Sequence, residues 1–280
     1  MQQYNCYSIL ASVRHSLNEF SDAYVQGTDT TGRYKNDYLL DKINEAHREI
    51  YSFLSQRLPH YFMGTATLTG VNSVYTLPGD FGALVEFRNE IGRNIFPVGW
   101  TNRKLTGSTG AEREYYRNGN TLVINKNNVT TAYTLYYKKK CRNLEIGQAV
   151  AGSGAAALVM AATAKKTDDY YNGFEIENVT QEESDTITDY VASTQTATIT
   201  GTPVADDWYG LVPEIPEMFM HLIQRRATML VREEYPLSQI RNASETYQAY
   251  VDQMSALLIN YSDLDADVPV EETFEDFLDD

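Results

Sequence analysis

At 280 residues, with 42% hydrophobic and 22% charged positions, the chain has the composition of one or two packed domains and not of a low-complexity tract. A net charge of −15 excludes a protein that works by gripping phosphate backbones across a basic face, and no apolar run approaches the roughly 20 residues that span a bilayer. Two distant cysteines, Cys6 and Cys141, fit no metal-ligand spacing, and the opening MQQYNCYSILASVRHSLNEF lacks the cationic and apolar regions of a secretory signal; a soluble protein assembled in cytoplasm is expected.

The first predicted element, Tyr4 to Val25, sets Tyr7, Leu10, Ala11, Val13, Leu17, Phe20 and Tyr24 at three- and four-residue spacing, as an amphipathic helix does. The polar stretch GTDTTGRYKN follows as a loop. Asp37 is a favourable N-cap for a second helix, DYLLDKINEAHREIYSFLSQRLP, which Pro59 ends. Its stripe of Leu39, Leu40, Ile43, Ala46, Ile50, Phe53, Leu54 and Arg57 to Leu58 opposes Asp41, Glu45, Arg48 and Glu49.

From Met63 to Lys140 the period changes to two. TATLTGVNSVYTLPGDF, EFRNEIGRNIFPVGW and REYYRNGNTLVINKNNVTTAYTLYYKKK predict short strands around Asn/Gly and Pro-Gly turns, an antiparallel meander or small sandwich. A second β unit of four to five strands is predicted over 147–202, from AVAGSGAAALVMAAT, YYNGFEIENV, DTITDYVAST and QTATITG. Helices resume after Pro213. PEIPEMFMHLIQRRATMLVREEY has Pro216 and Glu217 at its start, and Met218, Phe219, Leu222, Ile223, Ala227 and Leu230 on one side. Ser238 is positioned to cap the last helix, with a stripe of Ile240, Ala243, Tyr247, Val251, Met254, Leu257, Leu258 and Tyr261. Nine acids and no base follow Tyr261, nine of the fifteen net negative charges, so this segment is expected to be disordered when alone.

The predicted fold is α+β: a four-helix core with an antiparallel β-meander and an inserted β-sandwich- or barrel-like module. Residues 1–146 and 203–261 make the core, 147–202 an insert looped out of it, and 262–280 an acidic tail.

Catalytic signals are missing. His15, His47, His60 and His221 form no His-x-x-x-His pair. GSGAAA at Gly152 lacks the P-loop lysine and the third glycine of the dinucleotide fingerprint and reads as a turn, and no Gly-x-Ser-x-Gly elbow occurs. Asp168, Asp169, Asp185 and Asp189 lack EF-hand order and read as turn caps. Lys138, Lys139, Lys140 and Arg142 read as a solvated strand end. No catalytic, cofactor-binding or metal-ligating residue is assigned, and a non-enzymatic chain is expected. The 21 tyrosines suit half-buried surfaces and subunit interfaces, or strands.

Three segments carry a family likeness. LLDKINEAHREIYSFLSQRLP resembles the long helix, closing in Leu-Pro, of the head-to-tail connector (adaptor) proteins of tailed bacteriophages. VYTLPGDFGALVEF resembles their Tyr-x-Leu-Pro-x-Asp-Phe strand and turn, and VPEIPEMFMHLIQRRATMLV the Pro-Glu opening of their third core helix. DDYYNGFEI with DTITDYVASTQTATIT resembles a small β-module of phage structural proteins, with Asn172-Gly173 at its turn, Tyr190 in its tyrosine place and Pro203 closing it. The insert's size and the acidic tail depart from the simplest members.

The resemblance implies a structural virion protein at the neck. It would form a ring of twelve copies between portal and tail, extend the DNA channel without sequence-specific binding, and offer a docking face to the tail. The alternative is another neck or tail-hub protein whose β-module binds glycan or a partner. No cofactor is implied. Six residues are candidates for partner binding. Phe274, Phe277 and Leu278 punctuate the acidic tail as anchors for a portal groove, Tyr261 ends the last stripe, and Arg225 and Arg226 form a cationic pair suited to an acidic segment of a neighbouring copy or partner.

Overall fold

The computed structural model describes residues 4–20, 25–26, 32–98, 114–125, 129–234 and 243–265. The first helix, α1 (Cys6–Ser16), stops well short of Val25. Asn18 takes the left-handed conformation, φ 64°. Its amide donates to the His15 carbonyl at 3.0 Å and that of Glu19 to the Arg14 carbonyl at 2.9 Å, the two bonds of a Schellman cap. Phe20, which extends the apolar spacing, is 66% exposed and rests edge-on against the His15 ring.

In α2 (Asn36–Arg57) the spacing predicts the core directly: Leu39, Ile43, Ala46, Ile50 and Leu54 are all fully buried. The helix starts one residue early, so Asp37 lies in its first turn, where negative charge meets the positive helix end. Pro59 opens a single 3-10 turn, Pro59–Phe62.

Seven strands follow: β1 (Met63–Leu68), β2 (Val74–Thr76), β3 (Phe81–Asn89), β4 (Phe96–Pro97), β5 (Glu114–Asn118), β6 (Thr121–Ile124) and β7 (Tyr133–Lys139). They form two sheets, in the orders β1-β7-β3 and β2-β6-β5-β4. All pairs are antiparallel except β4 with β5. The Val71-Asn72-Ser73-Val74 turn has positive φ at both central residues, yet it joins two sheets: β1 pairs with β7 and β2 with β6. One core, which includes Leu68, Tyr75, Phe87, Leu122, Tyr133 and Leu135, draws on both sheets. Within it Tyr75, Phe87, Tyr115 and Tyr133 stack or meet edge-on at 5.1–6.5 Å.

Seven more strands pair only with one another: β8 (Ile146–Gln148), β9 (Ala157–Val159), β10 (Glu175–Asn178), β11 (Glu183–Thr186), β12 (Asp189–Val191), β13 (Thr196–Thr198) and β14 (Trp208–Leu211). Their antiparallel sheets run β11-β10-β14-β8 and β12-β13-β9. Five of them, β9 to β13, lie wholly within 147–202, in line with the four to five expected there; β8 straddles its start, and β14, a short run after Asp206 and Asp207, lies beyond it and escapes the sequence pattern. Helices α3 (Glu217–Glu234) and α4 (Ala243–Asp265) follow.

The chain divides into two compact units. One holds residues 1–4, 9–47 and 215–280, the other 5–8 and 48–214. The first takes most of α1, the first half of α2, α3 and α4, and the second takes all fourteen strands. The structure is therefore α+β, with four helices and several antiparallel sheets among the described residues. No described helix is long and apolar enough to cross a membrane.

Candidate partner-binding surface

In the helical unit, α3 faces α1 and α4 with different sides. Phe219, Leu222, Ile223, Ala227, Leu230 and Val231 are buried. A polar stripe of His221, Gln224, Arg225, Thr228 and Arg232 recurs at three- and four-residue intervals. With Ser16, Met229 and Gln253 it lines a groove of about 450 Å³. Gln224 Nε2 donates to the Ser12 carbonyl, 3.4 Å, and Arg232 Nη2 to the Ser16 carbonyl, 2.9 Å, the last carbonyl of α1, which has no helical partner.

Arg225 donates to Gln253 Oε1, and the amide of Gln253 lies 3.0 Å from His221 Nε2. An amide nitrogen has only protons to offer, so that imidazole nitrogen accepts and the ring is neutral. Burial lowers the His221 pKa, the hydrogen bond to the Met218 backbone opposes that in part, and the Arg225 charge adds to the lowering. Among the described residues no carboxylate pairs with Arg225 or Arg232.

The predicted pair is thereby split. Neighbours on a helix point about 100° apart. Arg226 is buried, with its guanidinium over the Tyr247 ring at 5.1 Å and 3.2 Å from Glu233. The structure gives Arg225 a different companion, Arg232, two turns on and on the same face. The sequence signal was the spacing His221, Arg225, Thr228, Arg232. Tyr261 lies on the backbone of α4, and Phe274, Phe277 and Leu278 lie outside the described residues.

The strand unit holds a second organised feature, where the two quoted sequence motifs meet. Arg142, read as part of a solvated strand end, is 1% exposed. It donates to Glu214 through Nε, 3.0 Å, and Nη2, 2.5 Å, and through Nη1 to the carbonyls of Tyr170 and Asn172, 2.9 and 2.8 Å. Its guanidinium carbon lies over the Phe174 ring, 3.9 Å from the centroid. Arg142 is buried and not solvated because a guanidinium has five donors in a flat fork, enough to satisfy a carboxylate and two buried carbonyls together. Beside it the turn of LPGDF abuts DDYYNG. A side chain on Gly79 would meet the Asp169 carbonyl oxygen at 2.0 Å, and Tyr137 donates to Asp80 at 2.8 Å.

Three of the acids considered as cation ligands take hydrogen bonds instead. Asp168 accepts from the Ala192 amide, Asp169 from the Asn172 side chain, and Asp185 from the Thr200 hydroxyl and the Gly201 amide. Gly152 and Gly173 take positive φ in turns. The resemblance residues Tyr171 and Tyr190 are core, 4.6 Å apart edge-on. Lys165 ties both, its amide donating to the Tyr171 hydroxyl and its carbonyl accepting from Tyr190.

Among known families, the model described as SU10 adaptor protein matches residues 4–271. No curated protein matches the chain. The family match runs from α1 through both groups of strands and α4 into the acidic tail, so the chain belongs to the SU10 adaptor protein family, the phage head-tail adaptors.

Proposed function

We propose that this adaptor is a structural protein of the neck, forming a closed ring between portal and tail. Twelve copies are taken from the family likeness. A surface patch that meets a different patch on the next copy closes such a ring when the rotation fits. The four helices belong to the core that repeats around the axis, with the segment 147–202 as an insert in it. The observation that carries the reading is the family match over 4–271, from helix to helix across all the strands.

The charge supports a channel role. With a net −15, acids facing the lumen leave passing phosphates free, whereas lysines and arginines would retain them. The ring extends the DNA channel, seals the filled head after assembly in the host cytoplasm, serves genome ejection and offers the tail its docking face. The tail 262–280 docks on a basic portal surface, with Phe274, Phe277 and Leu278 as anchors and Tyr261 at its root. Mixing the purified protein with its portal, then measuring mass and imaging by negative stain, tests this. A ring seated on the portal is expected; a protein that stays monomeric and ignores the portal refutes it. Deleting residues 263–280 is expected to weaken portal binding, and unchanged binding removes the tail from the interface.

A further inference from the structure

We propose that the groove on α3 is the intramolecular dock of the chain's own acidic tail, residues 266–280, which occupies it until a portal claims the tail. This deepens the portal-docking reading and rests on it for the tail's final destination.

The groove supplies the cationic half. In a chain with a large acidic excess, Arg225 and Arg232 stand on one helix face, two turns or roughly 10 Å apart. Each has a neutral partner: Gln253 for Arg225, and the Ser16 carbonyl for Arg232. Neither partner neutralises a guanidinium, and each guanidinium has further donors. Met229 gives the groove an apolar component, while Gln224 and Thr228 add polar atoms.

The tail supplies the anionic half with matching spacing. Glu271-Glu272 and Glu275-Asp276 are two acidic pairs four residues apart, about 13 Å in extended chain, with Phe274 between them and Phe277-Leu278 beyond. Six of its acids fall within Glu271–Asp280 and no base opposes them.

Reach favours the same chain over a second copy. Gln253, a groove residue, is twelve residues before the end of α4 at Asp265, roughly 18 Å along the helix. The fifteen residues after Asp265 span up to roughly 50 Å when extended, enough to fold back to Arg225 and Arg232. Tethering holds the tail at an effective concentration near millimolar, well above that of another copy in dilute solution.

Proteolysis of the full chain without portal tests the dock directly. Chymotrypsin cuts after Phe274 and Phe277, and a docked tail is cut slowly. The R225E/R232E variant is expected to be cut about tenfold faster at low salt, and 0.5 M salt is expected to bring the wild type to a similar rate. Tenfold corresponds to about 1.4 kcal/mol. Unchanged thermal melting of the variant shows that the helices remain folded. Adding E271K/E272K/E275K to the variant is expected to restore slow cleavage, which a merely destabilised helix pair would not do.

Equal cleavage of wild type and variant overturns the proposal and leaves the tail a solubilising appendage. Protection that grows with protein concentration overturns it in favour of a second copy. Unprotected tails together with duplex DNA retained by the wild type and lost by R225E/R232E overturn it in favour of a phosphate-binding groove. Because portal is absent throughout, failure here leaves the portal-binding result to stand or fall separately.

Discussion

Arg142→Ala puts the packing logic of the strand unit to a quantitative test. The side chain is 1% exposed and its partner Glu214 16% exposed, so water compensates little for a lost contact. Four donations disappear, two to a carboxylate and two to main-chain carbonyls, along with the stack on Phe174. Charged bonds contribute about 1.5–3 kcal/mol each, but the desolvation of both ions offsets much of that sum. Breaking one side of a buried pair then costs about 3–5 kcal/mol. Glu214→Gln keeps acceptor and shape and costs less, about 1–2 kcal/mol. In the double variant the penalties overlap, with a coupling of about 2 kcal/mol. Urea unfolding followed by far-UV circular dichroism measures all three. Arg142→Lys is expected to recover less than half of the loss, since one ammonium cannot fork across a carboxylate and two carbonyls. A loss below about 1 kcal/mol for Arg142→Ala, or strictly additive variants, would refute the assignment of this guanidinium as the tie between DDYYNG and Glu214.

Three further outcomes follow from neighbouring contacts. Gly79→Ala is expected to cost about 1–3 kcal/mol in the same unfolding assay, because its methyl group would meet a main-chain oxygen that has no rotamer by which to move away. Burial pushes the Glu145 carboxyl above its ordinary value of 4.5, partly offset by the Tyr171 hydrogen bond and the Lys165 charge. A raised folded pKa gives stability that is present below the unfolded value and lost as pH rises through the folded one, so Glu145→Gln should gain on the wild type as pH climbs from 4 to 7 in parallel melts. Burial, and then the Glu214 charge, pushes the Cys141 thiol up to about 12, and burial also raises that of Cys6. Both should resist thiol reagents at pH 8 until denaturant is added, as followed by mass shift.

Much of the helical content was legible because a single helix face needs only local spacing. Of the stripe read from the α2 sequence, Leu39, Ile43, Ala46, Ile50, Leu54 and Leu58 land in the core, while Leu40 and Phe53 at its margin are half-buried. The end of α1 was not legible, because Asn18 stops the helix by its backbone conformation while the apolar rhythm runs on to Phe20. Strands were visible and their partners were not. Met63 pairs with Lys138 and Ile176 with Leu211, across stretches that no local pattern encodes. Of the partner-binding candidates, Arg225 was placed in a groove, but its adjacency to Arg226 misled, since a helix separates what sequence puts side by side. Arg142 misled for the converse reason: a charge in a basic run reads as solvated until Glu214, 72 residues away, comes into contact.

Strand β8, where the chain enters the second group of sheets, lies directly beside β14, where it leaves: Ile146 pairs with Gly210 and Gly147 with Tyr209. Departure and return therefore sit a single strand spacing apart, about 5 Å. The chain between them imposes almost no span on the residues that precede β8 and follow β14, whatever its own length.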